Sequence, residues 1–192
     1  QRPGWEKNAQ ISDAVYNRGK RCVSLELKNA GDLASAKKLI ASADVVIENF
    51  RPGVMEKWGL GPACFLETNP GLVYARISGY GQDGPYSHKP GFASVCEGIS
   101  GFRYLNGHPG EAPVRPNLSI GDTIAGIHTA LGIALSLFER ERSGCGQVVD
   151  TALYECMFNL MEAVVPEYSG AGLIREPSGS TVTGIVPTNT YK

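Results

Sequence analysis

The chain predicts an α/β fold, a Rossmann-like parallel sheet with flanking helices, because short Val/Ile-rich strand patterns alternate with amphipathic helical ones at crossover spacing. Lys20 to Lys28, "KRCVSLELK", alternates apolar and polar residues and reads as the first strand. Asp32 then stands where a cap belongs, ahead of a helix carrying Leu33, Ala36, Leu39 and Ile40. Ala43 to Phe50, "ADVVIENF", reads as a short buried strand. Strand, helix and strand at this spacing imply a parallel crossover.

Short helices are expected around Val54 to Trp58 and Ala63 to Glu67, and Gly71 to Gly81, "GLVYARISGYG", supplies a third strand. From Phe92 the pattern turns helical: Phe92 to Gly101, then Asp122 to Arg142, then a strand in "GQVVDTAL", then a helix from Tyr154 to about Tyr168. In the longest helix, Ile124, Ile127, Leu131, Leu135 and Phe138 form one apolar stripe, which predicts packing against the sheet; Ala125, Gly126, Thr129, Ala130 and Gly132 keep its other sides narrow. Ligands are expected beyond the carboxyl ends of the strands.

Composition narrows the function classes. The chain has 192 residues, 42% of them hydrophobic and 19% charged, with a net charge of -1, as in an ordinary globular protein. No polybasic arm or acidic tail is present, which argues against nucleic acid and anionic membrane as partners. No uninterrupted apolar run approaches the roughly 20 residues of a membrane span, and "QRPGWEKNAQ" lacks a hydrophobic signal core, so a cytoplasmic protein is expected. Cys22, Cys64, Cys96, Cys145 and Cys156 are scattered and odd in number, the pattern of reduced, mostly buried thiols. His88, His108 and His128 lie far apart without a second ligand at metal spacing, and no metal is expected; His128 could at most line the same cavity as Asp122.

Two local motifs bear on chemistry. Gly79 to Gly84, "GYGQDG", matches Gly-x-Gly-x-x-Gly after a strand, but Pro85, Pro90 and Gly91 prevent the helix that would have to receive a pyrophosphate, leaving a tight Gly/Pro loop. Asp122 follows Gly121 at the mouth of the longest helical pattern, after the apolar run Asn117 to Ile120, which reads as buried chain. A helix N-terminus favours the ionised carboxylate, which suits a nucleophile. Asp is equally a common helix cap, and the local sequence leaves both roles open.

Four collinear segments, "ADVVIENFRPGVMEKWGLG", "NPGLVYARISGYGQDGPY", "SIGDTIAGIHTALGIAL" and "RSGCGQVVDTALYE", resemble the class III CoA-transferases of the carnitine CoA-transferase and formyl-CoA transferase (CaiB/BaiF) type. The resemblance runs through essentially the whole chain. It implies an internal piece of a longer protein, with residues 1–170 part of the large CoA-binding domain whose first strand would precede Gln1, and 171–192 the start of the linker to a small domain. It implies further that Asp122 is the nucleophile, attacking an acyl-CoA thioester to give a mixed anhydride and then an aspartyl-CoA thioester. A carboxylate needs no base to act as a nucleophile near neutral pH.

Carried over by position, Leu25, Asn49, Phe50, Lys57 and Trp58 are implied to contact CoA, and Phe92 is assigned with them. CoA and acyl-CoA are expected as substrates, with no permanently bound cofactor, and a homodimer is expected for the intact protein. The α-methylacyl-CoA racemases share the fold and the aspartate but use a histidine where this chain has Phe92, which disfavours proton exchange at carbon. Phe92-Ala93 also replaces the tyrosine-glutamate pair of formyl-CoA transferases, which disfavours oxalate and formate. Succinyl-CoA as donor to a dicarboxylate is expected instead, with Arg103 or Arg115 available to a distal carboxylate. A non-catalytic CoA-binding relative would lose the nucleophile, whereas Asp122 is present here.

Overall fold

A computed structural model describes residues 5–192. The chain divides into two compact units, the first ending at Ala36 and the second running Lys37–Lys192. The first contains α1 (Trp5–Tyr16), which the strand and helix patterns do not announce, and the start of α2 (Ala30–Ala41). The strand expected at Lys20 to Lys28 does not form; that segment is irregular. A strand requires a hydrogen-bonded neighbour, and the backbone bonds here are local, from Lys20 N–H to the Asn17 carbonyl and from Asn29 N–H to the Glu26 carbonyl.

The cap of α2 is also different from the expected one. Asn29 Oδ1 accepts the N–H groups of Gly31 (2.8 Å) and Asp32 (3.2 Å), so Asn29 satisfies the free donors. Asp32 lies inside the first turn and accepts the Glu26 N–H instead.

The second unit carries a three-stranded parallel sheet in the order β1 (Val45–Glu48), β2 (Val73–Ser78), β3 (Val148–Ala152). Val45 is in register with Val73, and Tyr74 with Val148. Strand β2 is central, and Val73, Tyr74, Ala75, Arg76 and Ser78 are all buried, as expected for a strand covered on both faces. Tyr74 donates its hydroxyl to the Leu60 carbonyl at 2.7 Å, and burial pushes its pKa up to about 12. The turn from β1 to β2 contains α3 (Val54–Lys57) and a short 3-10 turn (Pro62–Cys64) in place of the expected second helix.

Beyond β2 come α4 (Ala93–Ile99), the unannounced α5 (Phe102–Leu105) and the long α6 (Ile120–Ser143). Helix α6 is long and apolar enough to pass as a bilayer span by composition, but it packs on β2, β3, α4 and a further helix, α7 (Leu153–Phe158). Its packed face is the narrow one. Ala125, Thr129 and Ser136 are buried, Thr129 Oγ1 donates to the Ala125 carbonyl and bonds Thr151 Oγ1 at 3.1 Å, and a Cβ on Gly132 would lie 2.7 Å from Val149 Cγ1.

The expected apolar stripe therefore faces outward: Ile127, Leu131, Leu135 and Phe138 are 58–68% exposed, while Ile124 alone packs on the small core of Cys96, Ala125, Leu153 and Cys156. Close approach of backbone to sheet selects the small residues, and the bulky ones are turned away.

The helix expected over Tyr154 to Tyr168 is broken into α7, a 3-10 turn (Asn159–Met161) and α8 (Val164–Ala171). Glu162, at φ 50°, interrupts it. Pro166, which has no N–H to give, sits in the first turn of α8, where none is needed. Of the five thiols, Cys96 and Cys156 are buried while Cys22, Cys64 and Cys145 are exposed, fewer buried than the sequence pattern suggests.

Candidate active site

The carboxyl ends of β1 and β2 open on a cavity of about 380 Å³ lined by Asn49, Ile77, Ser78, Gly79, Gly91, Phe92, Ala93, Asp122 and Leu153. Three expected site residues, Asn49, Phe92 and Asp122, therefore converge here, at the strand ends where an α/β sheet receives ligand. The Gly/Pro loop builds the cavity wall by backbone crossing: a Cβ on Gly79 would collide with Gly91 Cα, and the reverse also holds. These glycines let two chain segments touch and serve no dinucleotide fingerprint. Ser78 Oγ, buried in the same wall, has no hydrogen-bond partner among the described residues.

Asp122 is the third residue of α6, behind Ser119 at the cap position, so it does not cap the helix. The run Asn117 to Ser119 before it is exposed loop, and Asp122 itself is exposed at the cavity mouth, which corrects the expected buried corner. Its carboxyl is held above the usual aspartate range, first by partial burial against the fold and next by the nearby Glu97 carboxylate, with Arg115 opposing both. The helix start thus does not lower its pKa as the sequence suggested. Partial burial, with the Glu97 anion second, outweighs the effect of the helix end.

Glu97 on α4 is fully buried, and its Oε1 accepts the N–H of Gly121 at 3.4 Å. Its Oε2 lies 3.5 Å from Arg103 Nε and 3.3 Å from Arg115 Nε. Both arginines are consequently engaged with this carboxylate while remaining partly exposed. The residue-by-residue reading misses Glu97. Its signal was a lone acid among small and apolar residues in "FASVCEGIS".

The residues expected around CoA are organised by a second buried ion cluster. Arg76 on β2 donates through Nε to Glu48 Oε1 (2.7 Å) and through its two other nitrogens to both oxygens of Glu56 (2.7 and 3.1 Å). Glu48 Oε2 in turn accepts the Phe50 N–H at 2.7 Å. One guanidinium therefore fixes the end of β1, where Asn49 and Phe50 leave the sheet, and α3, where Glu56 precedes Lys57 and Trp58. Phe50 and Trp58 meet edge to face with centroids 5.3 Å apart, and Lys57 is exposed beside them. Leu25 lies in the irregular segment of the first unit and is half-buried.

His128 is not at the cavity. Both ring nitrogens are engaged, with the Ile124 carbonyl (2.9 Å) and Asn159 Nδ2 (3.1 Å). A larger hollow of about 600 Å³, lined by Tyr80, Tyr86, Tyr154, Asp83, Asp150 and Glu155 among others, lies apart from Asp122. Of its carboxylates, Asp150 accepts the Gln82 N–H and Glu155 accepts the Tyr154 hydroxyl, so volume alone does not make it the reaction site.

The arrangement is that of an α/β protein with a carboxylate at a helix start facing a cavity at the end of a parallel sheet, a group that can act as a nucleophile. The chain belongs to CoA-transferase family III, which it matches over residues 1–192. It is 44% identical to the succinyl-CoA–D-citramalate CoA-transferase of Chloroflexus aurantiacus over 92% of this chain and 44% of that protein. It is 40% identical to the mouse alpha-methylacyl-CoA racemase over 86% of this chain and 43% of that protein. A crystal structure of a CaiB/BaiF family protein from Brucella suis superposes with a TM-score of 0.84 at 31% identity, covering 91% of this chain and 46% of that one. The chain thus spans less than half the length of the proteins it matches.

Proposed function

We propose that the intact protein is a CoA-transferase that moves CoA from an acyl-CoA thioester to a free carboxylic acid through a covalent intermediate on Asp122, with succinyl-CoA as donor and a dicarboxylate as acceptor. The observation that carries this reading is Asp122 at the mouth of the 380 Å³ cavity together with Asn49 and Phe92. Family membership and the likeness to a succinyl-CoA–D-citramalate CoA-transferase support it.

In the first step a carboxylate oxygen of Asp122 attacks the thioester carbonyl and expels CoA thiolate, giving a mixed anhydride. The thiolate then attacks the Asp122 carbonyl and releases the donor acid, leaving an aspartyl-CoA thioester. The acceptor carboxylate attacks that thioester, again expelling thiolate. Attack of the thiolate on the acceptor's carbonyl completes the new acyl-CoA and frees Asp122. Every bond broken is matched by one formed, and no external base is required.

Asn49, Phe50, Lys57, Trp58 and Phe92, with Leu25, are the proposed CoA contacts. Lys57 supplies a point charge for a phosphate and Trp58 an aromatic face for the base. Residues 1–170 are read as part of the large domain and 171–192 as the linker. CoA enters as substrate, without a resident cofactor, in a cytoplasmic homodimer. The exposed stripe Ile127, Leu131, Leu135 and Phe138 supports association, because so large an apolar face calls for a cover in the intact protein. A stable monomer by light scattering would count against the dimer.

Phe92 separates this reading from the racemase one, since an aromatic ring at the cavity offers no second acid/base group. The test is to incubate the intact protein with succinyl-CoA and labelled D-citramalate in deuterated water. CoA transfer to the labelled acid without deuterium at the α-carbon is the expected result. Deuterium exchange without transfer would establish the racemase reading, and CoA binding with neither would establish a binding protein.

A further inference from the structure

We propose that Glu97 is a positioning residue for Asp122: its buried carboxylate ties the first turn of α6 to Arg103 and Arg115, and so sets both the aim and the charge environment of the nucleophile. The inference rests on the transferase reading above. Glu97 is fully buried, where a lone carboxylate is costly unless paired. One oxygen accepts the N–H of Gly121, the residue before Asp122. The other lies between two guanidinium groups at 3.3 and 3.5 Å. Neither contact is aligned as a hydrogen bond, and Glu97 Oε2 and Arg103 Nε have no hydrogen-bond partner among the described residues.

Packing alone does not call for a carboxylate here. A glutamine would accept the Gly121 N–H equally well, and replacing buried ion pairs by apolar groups is often neutral. What only a carboxylate supplies is charge. Glu97 sets a negative charge against Arg115 beside the reacting group, and Asp122 forms no salt bridge of its own among the described residues. The charged and titratable groups around Asp122 are Glu97 and Cys96 from α4 and Arg115 from the loop before α6, with Arg103 of α5 acting through Glu97. Glu97 pushes the Asp122 carboxyl up and Arg115 pulls it down.

Two variants of the intact protein test this, because they have opposite signs. Glu97→Gln keeps the Gly121 bond but unmasks both arginines, and should lower the Asp122 pKa. Arg115→Gln removes the opposing cation from a partly exposed site and should raise it. Two readouts are needed: carbon-13 NMR titration of the Asp122 carboxyl, and the pH dependence of acyl-adduct formation with succinyl-CoA.

Opposite shifts in both readouts, with the fold retained, are the expected result. If both variants titrate as the wild type does, or shift in the same direction, the Glu97 inference is overturned while the wild-type adduct still upholds the transferase reading. Opposite NMR shifts without any wild-type adduct would uphold the coupling of Glu97 to Asp122 and overturn the transferase reading, and with it the role assigned to Glu97 in catalysis. Should Glu97→Gln fail to fold, the sign of the Arg115→Gln shift decides: an unchanged or lowered pKa overturns the inference.

Discussion

The two buried ion clusters of this fold handle charge in opposite ways. Around Arg76 the contacts are short and aligned, with Glu56 held in a fork and Glu48 carrying the Phe50 N–H as well. Around Glu97 one carboxylate is shared loosely by two arginines, at 3.3 and 3.5 Å, with polar atoms left without partners among the described residues. The first cluster joins β1 to α3 and is built to stay put. The second stands beside the start of α6 and leaves Glu97 Oε2 and Arg103 Nε without a hydrogen-bond partner among the described residues. Well-aligned buried ion networks fix geometry, whereas incompletely matched ones mark places where a ligand can complete them.

The largest effect should come from breaking the tight cluster. Arg76→Met leaves Glu48 buried without its partner and should destabilise the protein by about 3–5 kcal/mol in denaturant unfolding. Arg103→Met in the loose cluster leaves Arg115 on Glu97, so a cost of only about 1 kcal/mol is expected. Equal losses for the two substitutions would erase the distinction.

A smaller effect concerns acid. The hydrogen bonds from Arg76 hold Glu56 below the usual carboxylate range. A lowered folded pKa gives stability that is present above the unfolded value of about 4.3 and lost as the pH falls through the folded one. Glu56→Gln should therefore flatten the loss of stability on acidification, as measured by melting temperature against pH. The smallest effect is at Asp122. Its raised pKa means that the stability linked to its proton is full below the ordinary aspartate value and gone once the pH rises through the folded one. At neutral pH the ionised group is a slight burden, and Asp122→Asn should raise the melting temperature by about 1 °C, the gain being small because solvent screens an exposed carboxylate.

Much of the layout was legible in the sequence, and the exceptions share a cause. Strands β1, β2 and β3 and helix α6 follow from local patterning; the four family segments contain Asn49 and Asp122, the comparison by position adds Phe92, and the fold brings the three to one cavity. Lys20 to Lys28 alternates as a strand should, yet strand formation depends on a neighbour that periodicity cannot supply. The stripe on α6 was assigned to the wrong side because periodicity identifies a face without saying what the face meets, and Gly132 against Val149 shows that close packing selected the small residues. Glu97 and Arg76 escaped for a further reason. Arg76 acts through Glu48 and Glu56, 28 and 20 residues away, and Glu97 bonds Gly121, 24 residues away, so only the fold reveals them.

Intact-mass spectrometry of the full-length protein, mixed with succinyl-CoA and quenched, tests the central claim most directly. The account predicts a succinyl or CoA adduct that maps by peptide sequencing to Asp122 and is absent from Asp122→Ala. An adduct on another residue, or one that persists in Asp122→Ala, would contradict it.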